Sequence, residues 1–306
     1  MDFVSIVFDN KIEINLLKLQ LITFRNVDID IINTLFIVFN DDKHKIDKWL
    51  GDILECCPVN LRGKIQIVFP TDLDSLPKGE TYVSNWYSQQ FTKLAMSKII
   101  KTEYYVVLDA KNHFIKPITN ETFFREDGKI KLYQETHNDD LLRFYSNCFR
   151  YFGMDDVEEH NPFQTPCYIQ TTTPFVFITN ECKNMITYIE KKENTTFYNF
   201  FYKSCEYTEF FLYFAYLCFN KNTSYCYLPR QIDNVIVGPA DPNKYEWNSW
   251  HSKSTFLETN NPSCMSVSSK CVNVLDTIYK QHLIQFYHDR FHDDNIDDII
   301  NQIFNN

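Results

Sequence analysis

The chain has 306 residues, of which 44% are hydrophobic and 23% charged, so apolar burial can offset chain entropy and intrinsic disorder is excluded as the main state. Thirty basic against 40 acidic residues leave a net charge of −10, the wrong sign for displacing phosphate counterions, which excludes broad binding to nucleic acid or an anionic membrane. With 6 glycines and neither G-x-G-x-x-G nor G-x-x-x-x-G-K-[ST], classical dinucleotide and P-loop sites are excluded as well.

Four short apolar runs open the chain: Val4–Phe8, Leu35–Phe39, Ile65–Phe69 and Tyr104–Leu108. They are continuous rather than alternating, the pattern of strands buried on both faces of a parallel sheet. Between them, Ile14–Thr23, Ile46–Glu55 and Trp86–Lys101 carry apolar residues at helical spacing. Strands alternating with helices predict βαβ units and a doubly wound, Rossmann-type sheet. Further on, Val176–Ile178 and Tyr225–Leu228 read as strands, Tyr207–Phe219 as a buried helix and Val272–Phe286 as another helix. Residues 234–265 read as a long loop, and the tail from Asp293 to Asn306 as a short surface helix. The expected fold class is α/β: a mixed, mainly parallel sheet flanked by helices in one large domain. Residues 1–118 form a nucleotide-binding half, and residues 119–306 an acceptor half that shares the same sheet and core.

The apolar run Phe210–Phe219 is half the length needed to cross a bilayer, so no transmembrane segment is expected. The opening MDFVSIVFDN lacks a positive n-region, and the ten cysteines contain no C-x-x-C. These point to a cytoplasmic setting with mostly buried, reduced thiols, with peripheral membrane association left open.

The richest stretch runs from Asn85 to Pro117: a helix, a buried strand ending in Asp109, and a turn through Ala110, Lys111, Asn112 and His113. A carboxylate at the carboxyl end of a central strand points into the ligand crevice of such sheets. A hard oxygen there suits a metal–diphosphate complex, although Asp109 also has the chemistry of a turn cap. Gln89 and Lys93 are i, i+4 and share a helix face. Trp86 and Tyr87 could stack on a ring or fill the core.

The pattern W-Y-x-Q-Q-x-x-K-L-A followed by Y-Y-x-V-L-D-x-K-N-H-F, with T-E-F-F-L-Y further on, resembles a poorly characterised family of bacterial and viral glycosyltransferase-like proteins. These are similar to nucleotide-sugar transferases of the GT-A fold, and the resemblance covers residues 85–220. It implies transfer of a sugar from a nucleotide diphosphate sugar, a UDP-sugar first, to a hydroxyl on a glycan, lipid or protein, with no nucleic acid partner. Gln89, Gln90, Lys93, Asp109, Lys111, Asn112 and His113 are the implied donor-binding residues. Glu209 is the implied base for the acceptor proton, and Asp155 and Asp156 are alternatives. The family's Asp-x-Asp motif holds Mn²⁺ or Mg²⁺ on the diphosphate, but here the second acid is Lys111. Three readings follow: Lys111 replaces the cation, Asp109 binds a metal with His113 or a downstream residue such as His251, or the site is inactive. A histidine that related proteins place in a segment like Met265–Lys270 is here Ser268. A non-catalytic nucleotide- or glycan-binding module, and an interaction protein using the many Tyr and Phe residues, are the competing functional classes.

Overall fold

The structure is a computed structural model that describes residues 1–73, 86–163, 167–228, 234–237, 250–291 and 294–304. In chain order the first half comprises β1 (Asp2–Val7), α1 (Lys11–Thr23), β2 (Leu35–Phe39), α2 (Asp47–Glu55), β3 (Ile65–Val68), α3 (Trp86–Ala95), β4 (Tyr104–Asp109) and β5 (Asn112–Phe114). The second half begins with α4 (Asn120–Phe123), β6 (Ile130–Thr136), α5 (Asp139–Tyr151), α6 (Val157–His160), β7 (Cys167–Ile169) and β8 (Phe175–Ile178). It continues with α7 (Thr179–Glu193), α8 (Phe197–Ser204), α9 (Glu209–Phe219), β9 (Tyr225–Leu228) and β10 (Asn234–Val237). It ends with α10 (Trp250–Asn260), β11 (Cys264–Val267), α11 (Ser269–Val272), α12 (Thr277–Arg290) and α13 (Asp294–Phe304).

The central sheet has the order β3-β2-β1-β4-β8. The first four strands are mutually parallel and β8 runs antiparallel to β4. Every residue of β1 and β2 is buried, which is why these strands read as unbroken apolar runs. The chain leaves β1 toward β2 and β3, then returns to add β4 on the other side of β1. The β1/β4 junction is therefore a topological switch point, where a crevice opens beyond the carboxyl ends of the strands. A second sheet, β10-β11-β5, and a third, β7-β6-β9, stand beside it. The molecule is thus a mixed α/β domain with a mainly parallel central sheet flanked by helices, and β8 comes to that sheet from the second half of the chain.

α9 is buried from Glu209 to Leu217 and packs an aromatic face on β8, with the Phe175 and Phe210 ring centroids 4.6 Å apart. The buried Tyr213 hydroxyl accepts from the Ile178 amide at 3.1 Å, and the Tyr225 hydroxyl donates to the Val176 carbonyl at 2.9 Å. Among the described residues no helix is long and apolar enough to cross a membrane.

Several expectations need correction. The helix begun at Trp86 is α-helical only to Ala95 and tightens into a 3₁₀ turn at Met96–Lys98 before the strand. Asn112 and His113 belong to β5 rather than to the turn, because they pair with β11. The helix expected over Val272–Phe286 is broken after Val272 and restarts where the Asp276 carboxylate accepts the Tyr279 amide at 2.7 Å. The supposed loop 234–265 contributes β10, α10 and the start of β11. The tail forms a short helix with Asp297, Asp298, Asn301 and Gln302 exposed, but its other face is docked: Ile296, Ile299, Ile300, Ile303 and Phe304 of α13 are buried against α1 and α12. Thiol burial is also less general than expected. Cys57, Cys148, Cys182 and Cys264 are buried, but Cys56, Cys167, Cys218 and Cys226 are half-buried and Cys205 is exposed.

Candidate active site

Beyond the ends of β1 and β4 lies a cleft of about 810 Å³. Asp109, the last residue of β4, stands level with Ile6 of β1. Both of its carboxylate oxygens are fully engaged. Oδ1 meets Lys93 Nζ at 3.1 Å and accepts from Gln89 Nε2 at 3.2 Å. Oδ2 meets Lys111 Nζ at 3.0 Å and accepts from Thr173 Oγ1 at 3.1 Å. The backbone around it is held just as tightly. Asn112 Oδ1 accepts the Asp109 amide at 2.7 Å, and Gln20 Nε2 donates to the carbonyls of Asp109 and Asn112 at 2.8 and 2.9 Å.

Lys93 projects from α3 with its side chain 5% exposed and also contacts Glu209 Oε1 at 3.0 Å. Burial alone would lower the Lys93 pKa, but Asp109 and Glu209 outweigh it and push the ammonium above its ordinary range. Burial would raise the Asp109 pKa, yet Lys93 and Lys111 hold the carboxyl well below the usual carboxylate range. At Glu209 burial prevails over the opposing pull of Lys93, and the pKa is raised. Glu209 is the first residue of α9, where a helix favours an acid, and its amide donates to Gln90 Oε1 at 3.3 Å.

Of the residues singled out from sequence, Gln89, Lys93, Asp109, Lys111 and Glu209 line the cleft together, and Trp86, 48% exposed, forms part of its wall. Gln90 is buried behind it as an acceptor for α9, and its Nε2 finds no hydrogen-bond partner among the described residues. Asn112 is likewise buried. Its Nδ2 donates to the Thr173 carbonyl at 3.1 Å and to Ser266 Oγ at 2.6 Å, which ties β5 to β11.

His113 departs from the expectation. Residues alternate sides along β5, so its ring turns away from Asn112 and is wholly buried, with Nδ1 on the Tyr287 hydroxyl at 2.5 Å and Nε2 on the Leu16 carbonyl at 3.2 Å. Burial lowers its pKa to about 3. It is not among the residues that line the cleft with Asp109. Asp155 and Asp156 are exposed and lie outside the cleft lining, and Asp156 accepts the Glu159 amide of α6 at 3.3 Å. His251 falls in α10, and its side chain lies outside the described residues.

The cleft also holds residues that sequence reasoning passed over. Glu13, in the first turn of α1, lines it and accepts a hydrogen bond from Ser269 Oγ. Burial raises the Glu13 pKa, with Asp109 adding to the rise and Lys111 and Lys270 opposing it. The strand-end rule that flagged Asp109 applies equally to the residues after β1, and so to Glu13. Ser268, Ser269 and Lys270, which follow β11, form a further part of the wall. Thr173 is held by Asn112 and by Asn234 Nδ2, which donates to its carbonyl at 2.9 Å; no local pattern marks it.

A divalent cation at Asp109 would need open carboxylate lone pairs and several further hard ligands. Two ammonium groups, an amide and a hydroxyl already occupy the carboxylate. Among the described residues no group of three His, Cys, Asp or Glu side chains is placed to share a metal ion. This donor set does not fit the Mn²⁺ or Mg²⁺ that an Asp-x-Asp motif would hold.

Residues 8–288 match a family described as "Family of unknown function (DUF6492)". A sequence search among curated proteins finds no match. In structure the chain is similar to the galactosyltransferase LgtC in complex with donor and acceptor sugar analogues, at 11% identity and TM-score 0.46 over 99% of this chain and 95% of that one. It is similar to the bifunctional glycosyltransferase WbbM in its apo form, at 12% identity and TM-score 0.44 over 87% of this chain and 45% of that one. It is also similar to apo mouse xyloside xylosyltransferase 1, at 12% identity and TM-score 0.41 over 87% of this chain and 97% of that one.

Proposed function

This chain belongs to DUF6492, a family of unknown function, and we propose that it is a glycosyltransferase that moves a sugar from a nucleoside diphosphate sugar to an acceptor hydroxyl. One observation carries the reading: at the β1/β4 switch point, the cleft gathers Asp109, Lys93, Lys111 and Glu209, residues of the motif that resembles GT-A transferases. Its volume of about 810 Å³ suits a ligand the size of a nucleotide sugar.

In the proposed reaction the acceptor oxygen forms a bond to the anomeric carbon. The bond from that carbon to the diphosphate oxygen breaks, and its electron pair leaves with the diphosphate. The acceptor proton passes to Glu209. Lys93, locked between Asp109 and Glu209, keeps the base in place and favours its ionised form. Positive charge on the cleft wall stabilises the leaving diphosphate. Trp86 offers a flat apolar face to a sugar ring, the acceptor being a glycan, lipid or protein hydroxyl.

The test is release of nucleoside diphosphate from a panel of donor sugars, UDP-sugars first, with carbohydrate, lipid and peptide acceptors. Glu209→Gln should cut turnover by about 10²–10⁴-fold, the usual contribution of a general base, while donor binding persists. Donor binding with no turnover by the wild-type chain would favour a second reading, a nucleotide-binding module without catalysis, which the replacement of the second motif acid by Lys111 supports. The polar cleft around Asp109 weighs against a purely structural interaction protein.

A further inference from the structure

We propose that the cleft grips the donor diphosphate without a divalent cation, using the ammonium groups of Lys111 and Lys270 in its place. The inference rests on the glycosyltransferase reading and deepens it.

The carboxylate that would anchor a cation is already saturated by Lys93, Lys111, Gln89 and Thr173. Bringing in Mn²⁺ or Mg²⁺ would require breaking those contacts and pressing the ion against two ammonium groups. A lysine where the motif has its second acid changes the local charge by two units, from a site that must recruit a cation to one that supplies its own. The two lysines have the freedom that Lys93 lacks. Lys111 has a side chain 38% exposed and bonds Asp109 at one oxygen, so it can swing toward a phosphate while Asp109 keeps Lys93. Lys270 is exposed and reaches the same cleft from the segment after β11, where the Val267 amide donates to the Lys111 carbonyl at 3.0 Å.

The charged side chains that line the cleft balance in formal count. Asp109 and Lys93 cancel, which leaves Lys111 and Lys270 against Glu209 and Glu13. Burial raises the pKa of both glutamates and so works against their negative charge. Ser268 adds a hydroxyl on the Lys270 side, beside the Ser269 hydroxyl that donates to Glu13. Ammonium–phosphate hydrogen bonds are charge-assisted and need no metal to form.

The experiment is calorimetric titration of the full chain with UDP, GDP and ADP, each in EDTA and again with Mn²⁺ or Mg²⁺. The expected result is a nucleoside diphosphate that binds in EDTA within about threefold of its affinity with metal. Lys111→Met and Lys270→Met should each weaken it by about tenfold or more, the loss expected when a charge-assisted hydrogen bond is removed. Lys111→Arg should restore most of the affinity, whereas Lys191→Met on α7 should not change it. Binding that collapses in EDTA and returns with Mn²⁺ overturns the inference and leaves the glycosyltransferase reading intact. Unchanged affinity in Lys111→Met and Lys270→Met overturns it too. No binding by any diphosphate, with or without metal, overturns both.

Discussion

Lys93→Met tests the electrostatic centre of the cleft. The Lys93 side chain is 5% exposed, and it bridges Glu209 at 6% and Asp109 at 17% exposure. Asp109 would keep Lys111, Gln89 and Thr173, but Glu209 Oε1 would lose its ammonium partner in a buried setting. Breaking a buried pair from one side costs about 3–5 kcal/mol. With about 2.1 cal/mol/K of unfolding entropy per residue, a chain of this length loses roughly 0.6 kcal/mol per degree, so Tm should fall by about 5–8 °C. Adding Glu209→Gln removes the stranded charge, so the double variant should be more stable than the sum of the single effects by about 0.5–3 kcal/mol. In the wild type the folded pKa of Asp109 is depressed below its unfolded value of 3.8, so its contribution is complete above about pH 4 and is lost as pH falls further. The folded pKa of Lys93 is raised above 10.5, so its contribution is complete below that pH and is lost as pH rises through the folded value. Between pH 5 and 8 these two groups should leave stability flat. In Lys93→Met, Glu209 becomes a stronger proton acceptor, and the deficit should shrink as pH falls from 7.5 to 5. Thermal and urea denaturation followed by tryptophan fluorescence read all of this. A deficit below about 1 kcal/mol, strict additivity, or a deficit independent of pH would refute the reasoning.

Asn112→Ala should cost about 1–3 kcal/mol, because it orphans the Asp109 amide, while the Thr173 carbonyl and the Ser266 hydroxyl keep their bonds to Asn234; denaturation curves check it. Ile300→Ala on α13 should cost about 2–5 kcal/mol, and an unchanged midpoint would mean that the tail does not dock. The folded pKa of His113, about 3, lies below the unfolded value of 6.5. Its contribution to stability is therefore present above pH 6.5 and lost as pH falls toward 3. Its imidazole resonances should stay those of the neutral ring from pH 8 to 5, and an NMR titration midpoint near 6 would contradict the burial seen around it.

The parallel core was legible because its strands are buried on both faces. The residues of Leu35–Phe39 and Tyr104–Leu108 must be continuously apolar whatever surrounds them, and the helices between them carry one apolar face each. β5 and β11 were not legible, since short strands with polar members such as Asn112 and Ser266 lack either period. The docking of the α13 tail was not legible for a related reason. Its amphipathic pattern says that one face is apolar, but not that α1 and α12 wait to cover it.

The site divides in the same way. Asp109, Lys93, Lys111 and Glu209 stand in recognisable motifs, and local rules place Asp109 at a strand end and Glu209 at a helix start. Their convergence was not local: Lys93 and Glu209 are 116 positions apart and meet at 3.0 Å only through the packing of α3 and α9. The same holds for Glu13 with Ser269, which join over 256 positions, and for Thr173 on Asp109. His113 shows the limit from the other side, because a motif histidine beside the key carboxylate was turned into the core by strand alternation. Composition, charge and periodicity decide which residues can be buried and which elements form, because those are properties of neighbours in the chain. The ligand state of a carboxylate depends on which distant donors the fold delivers to it, and only the packed structure could decide that Asp109 is already satisfied by lysines.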